Sequence, residues 1–220
     1  MNKYTSMTDA MYAYLLRHTV RDSNVAEEIR AYTARSLDED MQIAPEQAPV
    51  LKMLVRLIGA TRALEVGVYT GYSALTVLEA MGTHGSLTAC DQSEEWTSIA
   101  RSFWKKAGVL DRVDLRLGDA MSTLDTLLAE GREGTYDFAF VDADKTGYDG
   151  YYERSLRLIR TGGAMVFDNT IWNGQVVDPT AADADTEAIR AFNAKVHADN
   201  RIDMVLLPVA DGMTVVRKKG

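Results

Sequence analysis

The chain is poor in several things, and each shortage excludes something. Cys90 is the one cysteine in 220 residues, so no internal disulfide forms and a reducing cytoplasm is the expected setting. Four prolines are too few for long linkers or disordered tracts. Basic residues are the minority, 24 against 32 acidic, and the net charge of −8 disfavours a nucleic-acid partner. No continuous apolar run is long enough to span a bilayer, so no membrane is expected. The stretch from Met1 to Arg30 has scattered charges and no signal-peptide core. The three histidines, His18, His84 and His197, lie outside every motif described below and read as surface or core residues. No internal repeat is present. What remains is ordinary: 46% hydrophobic and 25% charged residues, at a length that fits one domain.

Two glycine fingerprints are also missing. The chain has neither G-x-G-x-x-G nor G-x-x-x-x-G-K-[ST] where its first strand meets a helix. It has Ala63-Leu64-Glu65-Val66-Gly67-Val68-Tyr69-Thr70-Gly71-Tyr72-Ser73 instead. This reads as a buried strand, a glycine turn and the start of a helix at Tyr72. Glycines let the backbone pass close to a ligand, and the helix start presents free N–H groups. A dinucleotide site seats a pyrophosphate there. Here Glu65 points an acidic group toward the same space and would repel an anion. A cationic or amino-bearing ligand fits better. Adenosylmethionine carries an ammonium, a sulfonium and an adenosine but no phosphate. The competing reading is an ordinary strand-to-helix turn with a satisfied glutamate.

Ahead of this stretch, Ser6 to Arg17 and Val25 to Arg35 look like amphipathic helices, a lid or an oligomer surface. Asp38 to Ala44 reads as a loop. Pro45 suits a helix first turn, Val50, Leu51, Leu54, Val55 and Ile58 give a helical face, and Gly59 ends it. Strands are expected at Ala63–Val66, Ser86–Cys90, Val113–Leu117, Tyr136–Val141 and Ala164–Phe167. Helices are expected at Tyr72–Met81, Glu94–Ala107, Met121–Ala129 and Tyr148–Leu158. Strands alternating with helices mean a parallel sheet covered on both faces. A last helix, Thr186–Ala198, precedes strands Ile202–Leu207 and Met213–Arg217, joined by a short turn and so antiparallel. The expected architecture is one α/β domain over residues 1–220, with N-terminal helices over 1–44 and a catalytic core over 45–220.

The strands end in polar residues. Asp91 lies 20 residues beyond Gly71, where an acid can accept both ribose hydroxyls. Asp119 can accept from an adenine amino group, or cap the next helix, and Ala120 offers a backbone N–H. Asp142, Asp168 and Asn169 are hard oxygen donors on adjacent strand ends. They suit Mg²⁺, Mn²⁺ or Ca²⁺ and not Zn²⁺. The bland alternative is that Asp142 and Asp144 cap a helix and pair with Lys145.

Three segments taken together resemble the metal-dependent caffeoyl-CoA and catechol O-methyltransferases: Leu64 to Ser73, Phe140-Val141-Asp142-Ala143-Asp144-Lys145, and Phe167-Asp168-Asn169-Thr170-Ile171-Trp172-Asn173-Gly174. The closing Leu207-Pro208-Val209-Ala210-Asp211-Gly212 is similar as well. The resemblance runs from about Met41 to the C-terminus. It implies a Rossmann-like class I methyltransferase fold, with a seven-stranded, mostly parallel sheet and an antiparallel C-terminal hairpin. It implies donor contacts from Met41, Glu65, Gly67, Val68, Ser73, Asp91 and Ala120. Tyr69, Gly71, Asp119, Asp142 and Asp144 complete the expected S-adenosyl-L-methionine site. It implies metal ligation by Asp142, Asp168 and Asn169, Lys145 as catalytic base beside Asp142, and a substrate rim at Trp172 and Asn173. It implies a homodimer. Two departures stand out: Ile43 replaces a cofactor-contacting threonine of plant members, and Thr146-Gly147 replaces a more polar pair.

The expected reaction is methylation of one hydroxyl of a catechol. Two adjacent oxygens chelate the divalent ion, which acidifies one of them. Lys145 must be neutral to take that proton, and the oxygen then attacks the sulfonium methyl in line. Trp172, Tyr148, Tyr151 and Tyr152 can wall the ring, with helix packing as the alternative for at least one of Tyr151 and Tyr152. A different chelating acceptor from natural-product biosynthesis is compatible with the same residues. A nicotinamide oxidoreductase is disfavoured by the missing third glycine. A decayed site is disfavoured because Asp142, Lys145, Asp168 and Asn169 are all present.

Overall fold

Apolar runs interrupted by glycine and aspartate fold into strands that stop where the polar residues begin. In the computed structural model, which describes residues 5–35 and 39–220, seven strands form one sheet. They are β1 (Arg62–Val66), β2 (Ser86–Asp91), β3 (Val113–Leu117), β4 (Tyr136–Val141), β5 (Ile159–Phe167), β6 (Ile202–Leu207) and β7 (Met213–Lys218). Their order is β3-β2-β1-β4-β5-β7-β6. The first five run parallel. β7 lies antiparallel between β5 and β6. The chain moves outward from β1 in one direction through β2 and β3, then returns to β4 on the other side. That reversal opens a crevice at the carboxyl ends of β1 and β4, the place where such sheets bind ligands.

Among the described residues eight helices accompany the sheet: α1 (Asp9–Thr19), α2 (Asn24–Thr33), α3 (Gln47–Leu57), α4 (Tyr72–Ala80), α5 (Glu94–Lys106), α6 (Ala120–Ala129), α7 (Tyr148–Leu158) and α8 (Ala184–Ala198). Alternation along the strands divides the core in two. Phe138 and Phe140 of β4 face Leu51 of α3, Leu75 of α4 and Trp104 of α5. Ala139 and Val141 face Leu124 of α6, Tyr148 and Tyr152 of α7, and Phe192 of α8. No helix among the described residues is long and apolar enough to cross a membrane.

Most element bounds agree with the sequence reading, and three differ for local reasons. α1 starts at Asp9 rather than Ser6, because the Thr8 hydroxyl accepts from the Met11 N–H and caps the helix there. Pro45 precedes α3 instead of opening it, and Pro49 occupies the first turn, where a missing N–H costs nothing. β5 begins at Ile159, five residues before the expected start. The strand runs through Gly162 and Gly163 with a register shift between Tyr136 and Phe138. Gly163 passes so close to β4 that a Cβ there would stand 2.7 Å from the Asp137 carbonyl. The expected loop from Asp38 begins outside the described residues; Glu39–Met41 form one 3₁₀ turn.

Candidate active site

The sheet ladder continues one residue beyond each strand. Gly67 N–H donates to the Cys90 carbonyl at 2.9 Å, Asp142 N–H to Val66 at 2.8 Å, and Asp168 N–H to Val141 at 3.0 Å. The polar residues after β1, β4 and β5 are therefore held by the sheet itself. They border one cavity of about 840 Å³.

The turn after β1 is tightly built. A Cβ on Gly67 would stand 1.8 Å from the Asp142 carbonyl oxygen, and one on Gly71 would stand 2.6 Å from Trp104 Nε1. Both glycines are in the left-handed region, at φ 89° and 85°. Asp91 Oδ2 accepts from the backbone N–H groups of Val68 and Tyr69, at 2.8 and 3.1 Å. Glu65 is buried beneath the turn, where Oε1 accepts from the Ser73 hydroxyl. Its other oxygen has no partner among the described residues. Burial pushes the Glu65 carboxyl up to about 8; the Ser73 bond opposes this, and Asp142 and Asp91 add to it. An orphaned buried carboxyl oxygen fits a site built for an amino-bearing ligand. Met41, Gly67, Val68, Tyr69, Ser73, Asp91, Ala120, Asp142 and Asp144 all border the cavity, whereas Glu65 and Gly71 lie behind its wall. Asp119 is the exception on its loop. Its carboxylate, expected at an adenine amino group, is engaged as the N-cap of α6, accepting from Ser122 N–H at 2.8 Å. Its neighbours Gly118 and Ala120 line the cavity and it does not.

Lys145 stands at the centre of the other half and is 7% exposed. Its Nζ donates to Asn169 Oδ1 at 2.8 Å, the Tyr148 hydroxyl at 2.9 Å and Asp142 Oδ1 at 3.2 Å. Asp144 does not pair with it; that carboxylate accepts from the Tyr151 hydroxyl at 2.5 Å. Asp168 Oδ1 accepts from Gln47 Nε2 and Asn169 N–H, both at 2.7 Å. Burial and the charge of Asp142 push the Asp168 carboxyl up to about 7. Trp172 lies 5.6 Å from Lys145 Nζ, and Asn173 N–H donates to Asp211 Oδ1 at 2.6 Å. Of the tyrosines, Tyr151 borders the cavity, while Tyr152 is packed against Phe167 and Phe192.

No three His, Cys, Asp or Glu side chains converge as a cation site among the described residues. The expected set is two carboxylates and an amide oxygen at the ends of β4 and β5. Asp142 Oδ1 and Asn169 Oδ1 both accept from Lys145 Nζ, and Asp168 is held beside them by Gln47. This donor chemistry fits a hard divalent ion.

A model of a family described as O-methyltransferase matches residues 16–219. The chain belongs to this family. It is 42% identical over 207 residues to a probable caffeoyl-CoA O-methyltransferase of Dictyostelium discoideum, covering 93% of this chain and 90% of that one. An S-adenosylhomocysteine-bound methyltransferase of Podospora anserina superposes with a TM-score of 0.87 at 31% identity, with both chains fully covered. The O-methyltransferase of tomaymycin synthesis from Streptomyces achromogenes, in complex with S-adenosylmethionine, also gives 0.87, at 27% identity over 97% of this chain and all of that one. The protein is thus a methyltransferase that uses S-adenosylmethionine to methylate an oxygen.

Around the cavity the structure also engages residues that the sequence did not single out. Gln47 reaches Asp168 across 121 positions. Arg190 of α8 donates to the carbonyls of Gln175, Val176, Asp178 and Ala181, so it pins the segment after the Trp172 rim. Thr33 of α2 hydrogen-bonds Thr70 in the donor turn at 3.0 Å. Gln47 carries no local signal because its partner is distant in sequence, and Arg190 carries none because it bonds backbone carbonyls, which no residue pattern marks.

Proposed function

We propose that the methyltransferase is metal-dependent and methylates one hydroxyl of a small catechol-type acceptor. The observation that carries this is Lys145 Nζ, held among Asp142, Asn169 and Tyr148 at the floor of the cavity that the donor turn borders. Asp142, Asp168 and Asn169 would hold the divalent ion, Mg²⁺ foremost. Such an ion supplies Lewis-acid chemistry that lowers the pKa of a hydroxyl presented to it. Lys145, entering in its neutral form, accepts the proton of the acceptor hydroxyl. The acceptor oxygen then forms its bond to the donor methyl as the carbon–sulfur bond breaks. Gly67 to Ser73 hold the donor and Trp172 walls the ring, so much of the rate gain is the positioning of two bound reactants. A homodimer is part of this reading, since α1 has no buried residue and exposes Met11 and Tyr14.

The cavity wall favours a neutral or cationic acceptor over a polyphosphate thioester. It carries Asp40, Asp91, Asp142, Asp144, Asp168 and Asp211, with Lys145 as its only basic residue among those described. A second reading keeps the donor and changes the acceptor to another vicinal chelator. The neighbour from tomaymycin synthesis supports that reading. Transfer of a labelled methyl from S-adenosylmethionine to a panel of catechols, catechol thioesters and non-catechol chelators, with Mg²⁺ and with EDTA, separates these. Metal-dependent transfer to free catechols is expected. Transfer undiminished by EDTA would remove the metal, and transfer confined to the other chelators would move the acceptor.

A further inference from the structure

We propose that Gln47 is a positioning residue that orients Asp168 for the cation and braces the donor cover at the same time. The inference rests on the metal reading above. Gln47 opens α3 and is 1% exposed, so both ends of its amide need partners within the protein. Nε2 donates to Asp168 Oδ1 at 2.7 Å. Oε1 accepts from Ala44 N–H at 2.6 Å, and Ala44 ends the Met41–Ala44 stretch of the cavity wall. The amide is therefore a strut from that wall to a carboxylate at the end of β5.

What the strut does follows from counting lone pairs. Asp168 Oδ1 accepts twice, from Gln47 and from its neighbour Asn169 N–H. Oδ2 accepts no hydrogen bond among the described residues. Two donors on one oxygen fix the rotation of the carboxylate and leave the other oxygen for a ligand. A partner of this kind orients a ligating group and strengthens metal binding by about 10–100-fold. Gln47 donates rather than accepts at Asp168, so it adds a second hydrogen bond to that buried carboxylate. The remaining amide oxygen ties this arrangement to the position of Ala44. Loosening the strut at either end slackens the cation ligand and the donor wall together.

Gln47→Met keeps the chain length and removes both hydrogen bonds. Gln47→Asn keeps the amide but cannot span the distance. Mn²⁺ affinity, read from the free-ion electron paramagnetic resonance signal without donor or acceptor, should fall about tenfold in both variants. S-adenosylhomocysteine affinity, read by calorimetry without metal, should fall a few-fold. A purely structural role would lower the melting temperature and leave Mn²⁺ affinity in the folded variants untouched. Mn²⁺ affinity within about twofold of wild type in either folded variant overturns the proposal. If the wild type binds no Mn²⁺, or binds it equally well after Asp168→Ala, the metal reading fails first and takes this role with it.

Discussion

Two turns face each other across the cavity, and they are held by different elements. The donor turn, Gly67 to Gly71, enters the left-handed region at Gly67, Tyr69 and Gly71, places glycine where the chain is most crowded, and is otherwise held by β2 and α5. Asp91 on the adjacent strand end holds two of its N–H groups, and Trp104 Nε1 donates to the Gly71 carbonyl at 3.1 Å. The acceptor turn also enters the left-handed region, at Asn169, Trp172, Asn173 and Gly174, but only one of these is glycine. A bulky residue there costs about 1–3 kcal/mol and persists only when surrounding structure imposes it. Residues of α8 and of the β6–β7 connection impose it. Asp211 holds Asn173, Asn193 Nδ2 donates to the Thr170 carbonyl at 2.8 Å, and Arg190 gathers four carbonyls beyond Trp172. The donor turn is held by β2 and α5, whereas the acceptor turn is held by α8 and by the β6–β7 connection. Substitutions in α8 or in that connection can therefore reshape the acceptor side while the donor chemistry is kept.

The sharpest break between the two halves should come from Asp168→Ala. On the proposed metal role, losing Asp168 takes away several kcal/mol of transition-state stabilisation, so turnover should fall about 10³-fold. S-adenosylhomocysteine affinity should stay within a few-fold, because no donor-turn residue bonds to that side chain. Equal loss of both, measured by methyl transfer and calorimetry, would mean that the halves are not separable. Gly67→Ala tests the opposite half. The added carbon would overlap the Asp142 carbonyl, and the left-handed backbone would be strained besides. A destabilisation of about 3 kcal/mol or more is expected, read as a lower urea midpoint at unchanged slope. Gly174→Ala makes the contrast. No atom lies within 4 Å of the place its methyl would take, so only the strain of φ 79° applies, about 1 kcal/mol.

The sheet was legible because the five parallel strands end at glycine or aspartate, and β3, β4 and β6 have the expected bounds. β5 was misjudged because two glycines inside a strand carry the signal of a turn. Asp119 shows a different limit: a carboxylate ahead of a helix is equally a cap and a ligand contact until its partner is visible, and here Ser122 is the partner. Lys145, Asp142, Asp168 and Asn169 could be grouped because each follows a strand of a parallel sheet. Gln47 and Arg190 could not, since nothing near either residue indicates which group it will meet.

Arg190→Lys should act on the acceptor side alone. Lysine keeps the charge but loses the planar fork that spans several carbonyls. The acceptor KM should rise about tenfold, a difference of about 1.4 kcal/mol, with donor affinity unchanged within about twofold. Steady-state kinetics with the donor saturating, alongside calorimetric donor titration, reads both. A matching loss of donor affinity would show that α8 governs the whole cavity and that the contrast between the turns is too sharply drawn.

The smallest expected effect lies on the donor side, at Glu65, and its sign can be worked out. The folded protein holds this carboxyl up to about 8, against an ordinary value of 4.5. Between those values the folded state keeps a proton that the unfolded state has released. The contribution of Glu65 to stability is therefore complete below about 4.5 and is lost as pH rises through about 8. Glu65→Gln should flatten that part of the pH dependence of the urea midpoint. An amino-bearing donor near the orphaned oxygen favours the ionised carboxyl, so binding should expel this proton at pH 7. Donor affinity should then rise with pH toward 8 in the wild type and not in Glu65→Gln. Calorimetric titration of S-adenosylhomocysteine in two buffers of different ionisation enthalpy counts the protons released. A clear release in the wild type, absent from the glutamine variant, makes Glu65 the donor turn's own charge sensor. An equal count in both proteins would leave Glu65 as a buried brace for Ser73, and donor recognition would then rest on the backbone of the turn and on Asp91.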